Sequence, residues 1–176
     1  LITLSAIALT SCNTKQKVSS KQKIQWLSLS EVEEKMRLNP KKVLIDIYTD
    51  WCGPCKRMSK YTFTDPEVIE IINKEFYAVK FNAESKKEVN FQNKKYTNRG
   101  RTHDFALKTG STMQGLSYPT IVYYDKFFKK ISSVPGYYNA EEYVIILKYF
   151  CDDNYKKISY EEFYKSFYNK WSIVIF

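Results

Sequence analysis

Val43-Leu44-Ile45-Asp46-Ile47-Tyr48-Thr49-Asp50-Trp51-Cys52-Gly53-Pro54-Cys55 is the stretch that decides the fold. Residues 43–48 form a run rich in β-branched side chains, which reads as a buried central strand. From Cys52 onward the pattern is that of a helix, so the cysteines stand at a strand-to-helix junction. Two intervening residues let the sulfurs meet at the first helical turn, where a disulfide can close and reopen. The helix start offers unpaired N–H groups and a partial positive charge to the first sulfur. That environment draws the Cys52 thiol from about 8.5 toward neutrality. Cys55, one turn inside, is expected to be shielded and to act second.

Two other uses of a CxxC pair stand beside the redox reading. A structural zinc site wants four ligands, yet Cys12 and Cys151 stand alone in the sequence and His103 has no partner. A structural disulfide suits an exported protein, but so short a loop gains little loop entropy.

Outward from this stretch, residues 24–27 alternate like a short edge strand. Ser30 with Glu33 reads as a capping box, and Asn39-Pro40 as the stop of the helix between them. Asp65 followed by Pro66 starts another helix, with Asp as N-cap and Pro in the first turn. Residues 76–82 read as a second strand, and 84–101 as a polar, basic loop or exposed helix. A short helix is expected over 102–109 with Gly110 past its end. Residues 119–124 and 127–134 read as two strands around Asp125-Lys126. Asn139 caps an apolar helix over 140–150. Ser159 with Glu162 opens a last helix in which Phe163, Phe167 and Trp171 recur at helical spacing. Strands interleaved with helices argue for an α/β sheet covered on both faces.

At 176 residues, with 44% hydrophobic and 16% aromatic content, the chain supports one well-cored domain. Four cysteines are too sparse for a disulfide-stapled mini-protein, and a single histidine removes His-based metal sites. The formal charge of +9 resembles a nucleic-acid footprint until it is located. Residues 12–23 carry a net +4 and residues 86–101 a net +5, which leaves the rest neutral. Nucleic acid is therefore not expected as a partner.

The first residues read Leu-Ile-Thr-Leu-Ser-Ala-Ile-Ala-Leu, too short for a membrane span of roughly 20 residues but suited to a signal-peptide core. The chain does not start with Met or a charged leader, so the leader is expected to begin before Leu1. Leu9-Thr10-Ser11-Cys12 resembles a bacterial lipoprotein signal, which makes Cys12 the candidate lipidated residue. Residues 13–23 read as a flexible polar tether, 24–151 as the folded domain and 152–176 as a helical extension. The domain is expected outside the cytoplasm, in a bacterial envelope or periplasm.

Over residues 24–151 the chain resembles the thioredoxin superfamily. Asp46 lies six residues before Cys52, as the superfamily's proton-handling aspartate does, and Lys80 in Val79-Lys80-Phe81-Asn82 matches the lysine beside it. Tyr118-Pro119-Thr120 matches the cis-proline turn that faces the disulfide, and Gly136 a groove glycine. The run from Lys56 to Glu70, with Tyr61-Thr62-Phe63-Thr64-Asp65-Pro66, is similar to the C-terminal domain of transmembrane thiol-disulfide interchange proteins. The resemblance implies a central mixed sheet with helices on both faces, to which this chain adds a C-terminal helix.

It also implies roles. The Cys52 thiolate attacks a substrate disulfide and Cys55 displaces the product, while Asp46 takes the Cys55 proton and Lys80 modulates that charge. Trp51 covers the site; Gly53, Pro54, Tyr118, Pro119 and Gly136 contact substrate. The cysteine pair serves as the cofactor, with no prosthetic group and no metal. Disulfide-bearing proteins are the expected substrates, a membrane component the electron donor, and a membrane surface the lipid anchor's support; the chain is expected to be a monomer. The main expected activity is reduction. The alternatives are a disulfide oxidase or isomerase, a reductase for haem-attachment cysteines, and a non-catalytic lipoprotein interaction module.

Two departures stand out: residues 84–117 are longer than in minimal thioredoxins, and the helix after Cys151 is additional. The aromatic stripe of that helix is expected to be a packing face. Cys151 is expected to be a buried small hydrophobe, and His103 to sit at the surface or cap a helix.

Overall fold

The computed structural model describes residues 22–172. Its elements in chain order are β1 (Trp26–Leu27), α1 (Leu29–Leu38), β2 (Lys42–Tyr48), α2 (Gly53–Lys60), a 3-10 turn (Thr62–Thr64), α3 (Pro66–Glu75) and β3 (Phe76–Asn82). A hairpin of β4 (Val89–Phe91) and β5 (Lys94–Tyr96) follows, then α4 (Asp104–Gly110) and β6 (Thr120–Tyr124). The chain continues through β7 (Lys130–Pro135), α5 (Ala140–Cys151) and α6 (Tyr160–Ser172). Residues 1–21, with Cys12, the leader and most of the tether, lie outside the described residues, as do residues 173–176.

β2 is the middle of a five-stranded mixed sheet ordered β1-β3-β2-β6-β7, parallel to β3 and antiparallel to β6. Val43, Leu44, Ile45 and Ile47 are fully buried because both sheet faces are covered. One face packs Leu44, Ala78, Ile121 and Tyr123 against Met58, Ile72, Tyr143 and Leu147 of α2, α3 and α5. The other packs Val43, Ile45, Ile47, Val79 and Val122 against Val32 and Met36 of α1, Phe105 of α4 and Phe91 of the hairpin. Side chains alternate along a strand, so Asp46 falls on the α2–α3–α5 face with Leu44. Register pairs Asp46 with Lys80 across β2 and β3.

Several local expectations are corrected. The first capping box is Ser28 with Glu31: Glu31 N–H donates to Ser28 Oγ at 3.2 Å and Ser28 N–H to Glu31 Oε2 at 2.7 Å. Two overlapping S-x-x-E signals exist, and the earlier one lets Leu29 join Val32 and Met36 on the buried face. Glu33 is thereby free to accept from Gln92 N–H at 2.6 Å. The 84–101 segment is neither loop nor helix but contains the β4–β5 hairpin, turned by Gln92 and Asn93 with φ of 52° and 57°. Phe91 nails it down between Phe105, Tyr124 and Phe128.

Gly110 ends α4 from inside rather than lying past it, because the helix presses onto β2 there. A Cβ at this position would sit 2.7 Å from Ile47 Cδ1. The β6–β7 turn is wider than expected: Asp125 Oδ1 accepts from Phe127 N–H and Lys129 N–H, so β7 starts at Lys130.

Helix starts at Asp65-Pro66, Asn139 and Ser159 fall where expected. α6 folds back on α5, with the Phe163 ring 5.4 Å from that of Tyr149 and Lys148 Nζ 5.5 Å from the Phe167 ring centre. The side chain of Trp171 lies outside the described residues. No helix among the described residues is long and apolar enough to cross a membrane.

Candidate redox site

Cys52 is the N-cap of α2 and its Sγ accepts from Cys55 N–H at 3.1 Å. Pro54 sits in the first turn, where a missing N–H leaves no donor unsatisfied. The Cys55 amide is therefore the donor the helix start aims at the first sulfur. Cys52 and Cys55 form a disulfide with Cα atoms 5.3 Å apart. Both are buried in this oxidised state, so Cys55 is shielded as expected and Cys52 is equally so. Gly53 and Pro54 are exposed on the loop they share.

A cleft of about 300 Å³ opens beside the pair, with Cys55, Thr49, Ser59 and Lys80 among its walls. Asp46 does not line it; Lys80 stands between. Lys80 Nζ donates to Asp46 Oδ2 at 2.9 Å and to Ser59 Oγ at 2.8 Å. The same ammonium lies 5.1 Å from the ring centre of Trp26, 4.9 Å from Tyr48 and 5.3 Å from Phe63. Four elements thus converge on one cation, which explains how its long stem can be held in one place. Asp46 is 2% exposed, and its Oδ1 has no hydrogen-bond partner among the described residues. Burial pushes its carboxyl above the ordinary range, and the attraction of Lys80 opposes that without cancelling it.

Tyr118-Pro119 is a cis peptide. Pro119 C=O accepts from Gly136 N–H at 2.8 Å, which fixes the turn to the end of β7. Gly136 has φ of 105°, a conformation that demands glycine. Trp51 is 66% exposed, meets Tyr118 edge-on at 5.9 Å between ring centres, and donates from Nε1 to Glu84 Oε1 at 3.0 Å. Glu84 is held in turn through its N–H by Asn82 Oδ1, and Asn82 Nδ2 reaches Asp50 Oδ2. Neither Glu84 nor Ser59 was singled out in the sequence. Glu84 lies 33 positions from Trp51 with no motif to join them.

The structure therefore joins Cys52 to Cys55, Asp46 to Lys80, Trp51 to Tyr118 and Pro119 to Gly136. Two other residues are set aside. His103 is buried rather than at the surface and caps α4: its Nδ1 accepts from Phe105 N–H, so the ring proton rests on Nε2, facing Lys87 C=O at 3.0 Å. Cys151 is a free thiol only partly buried, and burial with the neighbouring Asp152 pushes it up to about 12. No group of His, Cys, Asp and Glu that could hold a metal exists among the described residues.

A strand leading into a helix capped by one cysteine of a disulfide, with a cis-proline turn on the next antiparallel strand, defines a thioredoxin-fold disulfide oxidoreductase. The chain belongs to the thioredoxin-like family, whose domain model matches residues 29–151, and whose members work through a cysteine disulfide without a cofactor. Among its relatives, the thiol:disulfide interchange protein DsbD of Pectobacterium atrosepticum is 30% identical over 125 residues, 70% of this chain and 19% of that protein. The protein of the same name from Actinobacillus pleuropneumoniae is 31% identical over 66% of this chain and 18% of its own length. This chain thus spans about a fifth of these curated relatives.

Solved structures show the same fold. A DsbH oxidoreductase superposes with a TM-score of 0.56 at 17% identity, covering 82% of this chain and 92% of its own. A thioredoxin-fold protein from Helicobacter pylori gives a TM-score of 0.54 at 24% identity, covering 73% of this chain and 80% of its own.

Proposed function

We propose that the chain reduces protein disulfides by dithiol–disulfide exchange at Cys52 and Cys55, outside the cytoplasm. The observation that carries this reading is the placement of Cys52 Sγ at the start of α2, accepting the Cys55 N–H. A thiolate at Cys52 gains that hydrogen bond and the helix field, whereas Cys55 lies one turn inside. Cys52 attacks a substrate disulfide and forms a mixed disulfide; Cys55 then attacks Cys52 Sγ and releases the substrate as a dithiol. Two electrons pass to the substrate, and the chain is left with the Cys52–Cys55 disulfide.

Asp46 accepts the Cys55 proton by a relay past Lys80, since a carboxyl raised by burial holds a proton more readily than an ordinary one. Lys80, which lines the cleft with Cys55, keeps the carboxylate form within reach. Trp51 and Tyr118 cover the sulfurs. Pro119, with no N–H to compete, offers its edge to an extended substrate segment, and the turn at Gly136 keeps that edge in place.

The reducing direction is supported by the Gly53-Pro54 pair between the cysteines, which resembles the reducing members of the superfamily. We further assign the chain to a bacterial envelope or periplasm. Cys12 is its lipid anchor, residues 13–23 its tether, 24–151 the catalytic domain, and 152–176 a helical extension. The likeness to interchange proteins and the apolar leader support this. Electrons would then come from a membrane donor, and substrates would be disulfide-bearing proteins.

The test is trapping. A Cys55→Ala variant expressed in a bacterial envelope should accumulate mixed disulfides on Cys52, resolved by reducing and non-reducing electrophoresis, and Cys52→Ala should not. Absence of any disulfide-linked partner on Cys55→Ala would instead favour a binding module that has kept the fold.

A further inference from the structure

The net +5 of residues 86–101 has a definite place. These residues belong to an insert that leaves the sheet at the end of β3, beside the end of β2 that feeds the cysteines; Ala83 N–H donates to Tyr48 C=O at 2.8 Å. The insert is closed at its base by His103 N–H on Ala83 C=O at 2.7 Å. Its first residue is Glu84, the partner of Trp51. Asn98 Nδ2 donates to the carbonyls of Glu84 and Ser85 at 3.2 and 3.0 Å, and Lys86 Nζ to Gly100 C=O at 2.6 Å. Lys86, Arg99 and Arg101 are thus gathered on the insert whose first residue is bonded to Trp51, next to Cys52. All three are exposed, and none has an ion pair among the described residues. Lys94 and Lys95, by contrast, sit out on the hairpin, where Lys95 is paired with Glu88 at 2.7 Å.

α2 supplies a second group of the same sign. Gly53–Lys60 contains Lys56, Arg57 and Lys60 and no acid. Lys56 and Lys60 line the cleft with Cys55, and the Arg57 guanidinium lies 4.7 Å from the ring centre of Tyr137, next to Gly136. Against these stand Asp50, held by Asn82, and Glu84, held by Trp51.

We infer that these two groups, Lys86, Arg99 and Arg101 on the insert and Lys56, Arg57 and Lys60 on α2, form a basic collar around Cys52–Cys55 that docks redox partners carrying acidic side chains beside their cysteines. The inference rests on the oxidoreductase reading and adds the partner's chemistry to it. Outside the tether and these six side chains, basic and acidic groups nearly balance, so the collar is a local field rather than a general excess. Lys56 and Lys60 share a cleft with Cys55, and exposed charges of one sign on a docking face steer encounter by roughly tenfold or more at low salt. The partner is a protein rather than an anionic membrane, because the insert's base is hydrogen-bonded to Trp51, the residue next to Cys52.

The experiment uses the full chain in its reduced form, mixed with three disulfides. One is hydroxyethyl disulfide, neutral and so indifferent to the collar's charge. The others are two cystine peptides that differ only in Asp or Lys residues flanking the bond. Each reaction leaves the chain oxidised and releases two thiols, read as the rate of thiol formation. The expected result is a rate at least about tenfold higher for the acidic peptide at low salt, shrinking toward parity at high salt.

Lys86→Glu/Arg99→Glu/Arg101→Glu should lose or invert that preference while reducing hydroxyethyl disulfide at the unaltered rate. The milder triple glutamine variant should fall between, which guards against a fold defect in the reversal. Equal rates for the two peptides, or a preference that survives both variants, would overturn the collar. So would variants that lose binding to phosphatidylglycerol vesicles but keep the peptide preference. Failure of the unaltered chain to reduce hydroxyethyl disulfide would instead sink the oxidoreductase reading beneath it.

Discussion

Replacing Lys80 by Met keeps an unbranched stem between the rings of Trp26, Tyr48 and Phe63 but removes the charge that faces Asp46. Two losses follow, and pH separates them. The bond to Ser59 and the cation–ring contacts vanish at every pH, costing about 1–2 kcal/mol together at this partly exposed nitrogen. The ion pair vanishes only where Asp46 is ionised. Taking one partner from a buried pair costs about 3–5 kcal/mol when the remaining charge cannot escape. Asp46 can escape by binding a proton, since burial already raises its affinity for one.

The sign is therefore fixed. In the native chain the folded state holds the Asp46 proton more tightly than the unfolded state, so this group lowers stability as pH rises from the ordinary carboxylate range through its folded value. Removing Lys80 strengthens that hold, so the penalty deepens at high pH and disappears at low pH. Urea unfolding from pH 4 to 8 should show Lys80→Met destabilised by about 1–2 kcal/mol at the acid end and by about 1–3 kcal/mol more at the alkaline end. In a cycle with Asp46→Asn, the coupling energy at pH 8 should reach about 1–3 kcal/mol and fall toward zero at pH 4. A destabilisation equal at both ends, or no coupling at pH 8, would refute the reasoning about this pair.

Other outcomes follow from the same geometry. Glu84→Ala should free Trp51, faster depolarising its fluorescence and lowering kcat/KM for protein disulfides by up to about fivefold, the value of one exposed hydrogen bond; Glu84→Gln, which keeps an acceptor, should restore both. With its thiol pushed up to about 12, Cys151 should carry roughly a thousandfold less thiolate at pH 8 than a free cysteine. Iodoacetamide should accordingly label reduced Cys52 long before Cys151 in the native chain, as peptide mapping would read out. Labelling of Cys151 at the rate of an unfolded control would contradict its assigned environment.

What could be read from the sequence was what neighbouring residues decide. The apolar run before Asp46, the cysteine spacing, the Asp65-Pro66 start and the Asn139 cap are local signals, and the chain obeys them. The Tyr118-Pro119 turn was legible through resemblance, and its peptide is cis. The misreadings came where two local signals overlapped or where a distant contact chose between them. Ser28 and Ser30 both offered a cap, and the burial of Leu29 selected the first.

The hairpin was hidden because its turn is Gln92-Asn93 rather than a glycine pair, and because Phe91 finds its burial against residues from α4 and β6. The Trp51–Glu84 bond and the ring cage of Lys80 join segments far apart in the chain, and nothing in either segment alone marks them. Cys151 closes an apolar helix as expected, but the helix end leaves its sulfur only partly covered.

The central claim is that Cys52 and Cys55 are a working dithiol–disulfide couple of reducing character. A redox titration of the full chain against glutathione or dithiothreitol buffers, following the oxidised fraction, tests it most directly. The account predicts one reversible two-electron transition near the thioredoxin value of about −270 mV, abolished by Cys52→Ala or Cys55→Ala. A couple near −120 mV would mark an oxidant, and a disulfide that does not titrate reversibly would contradict the claim outright.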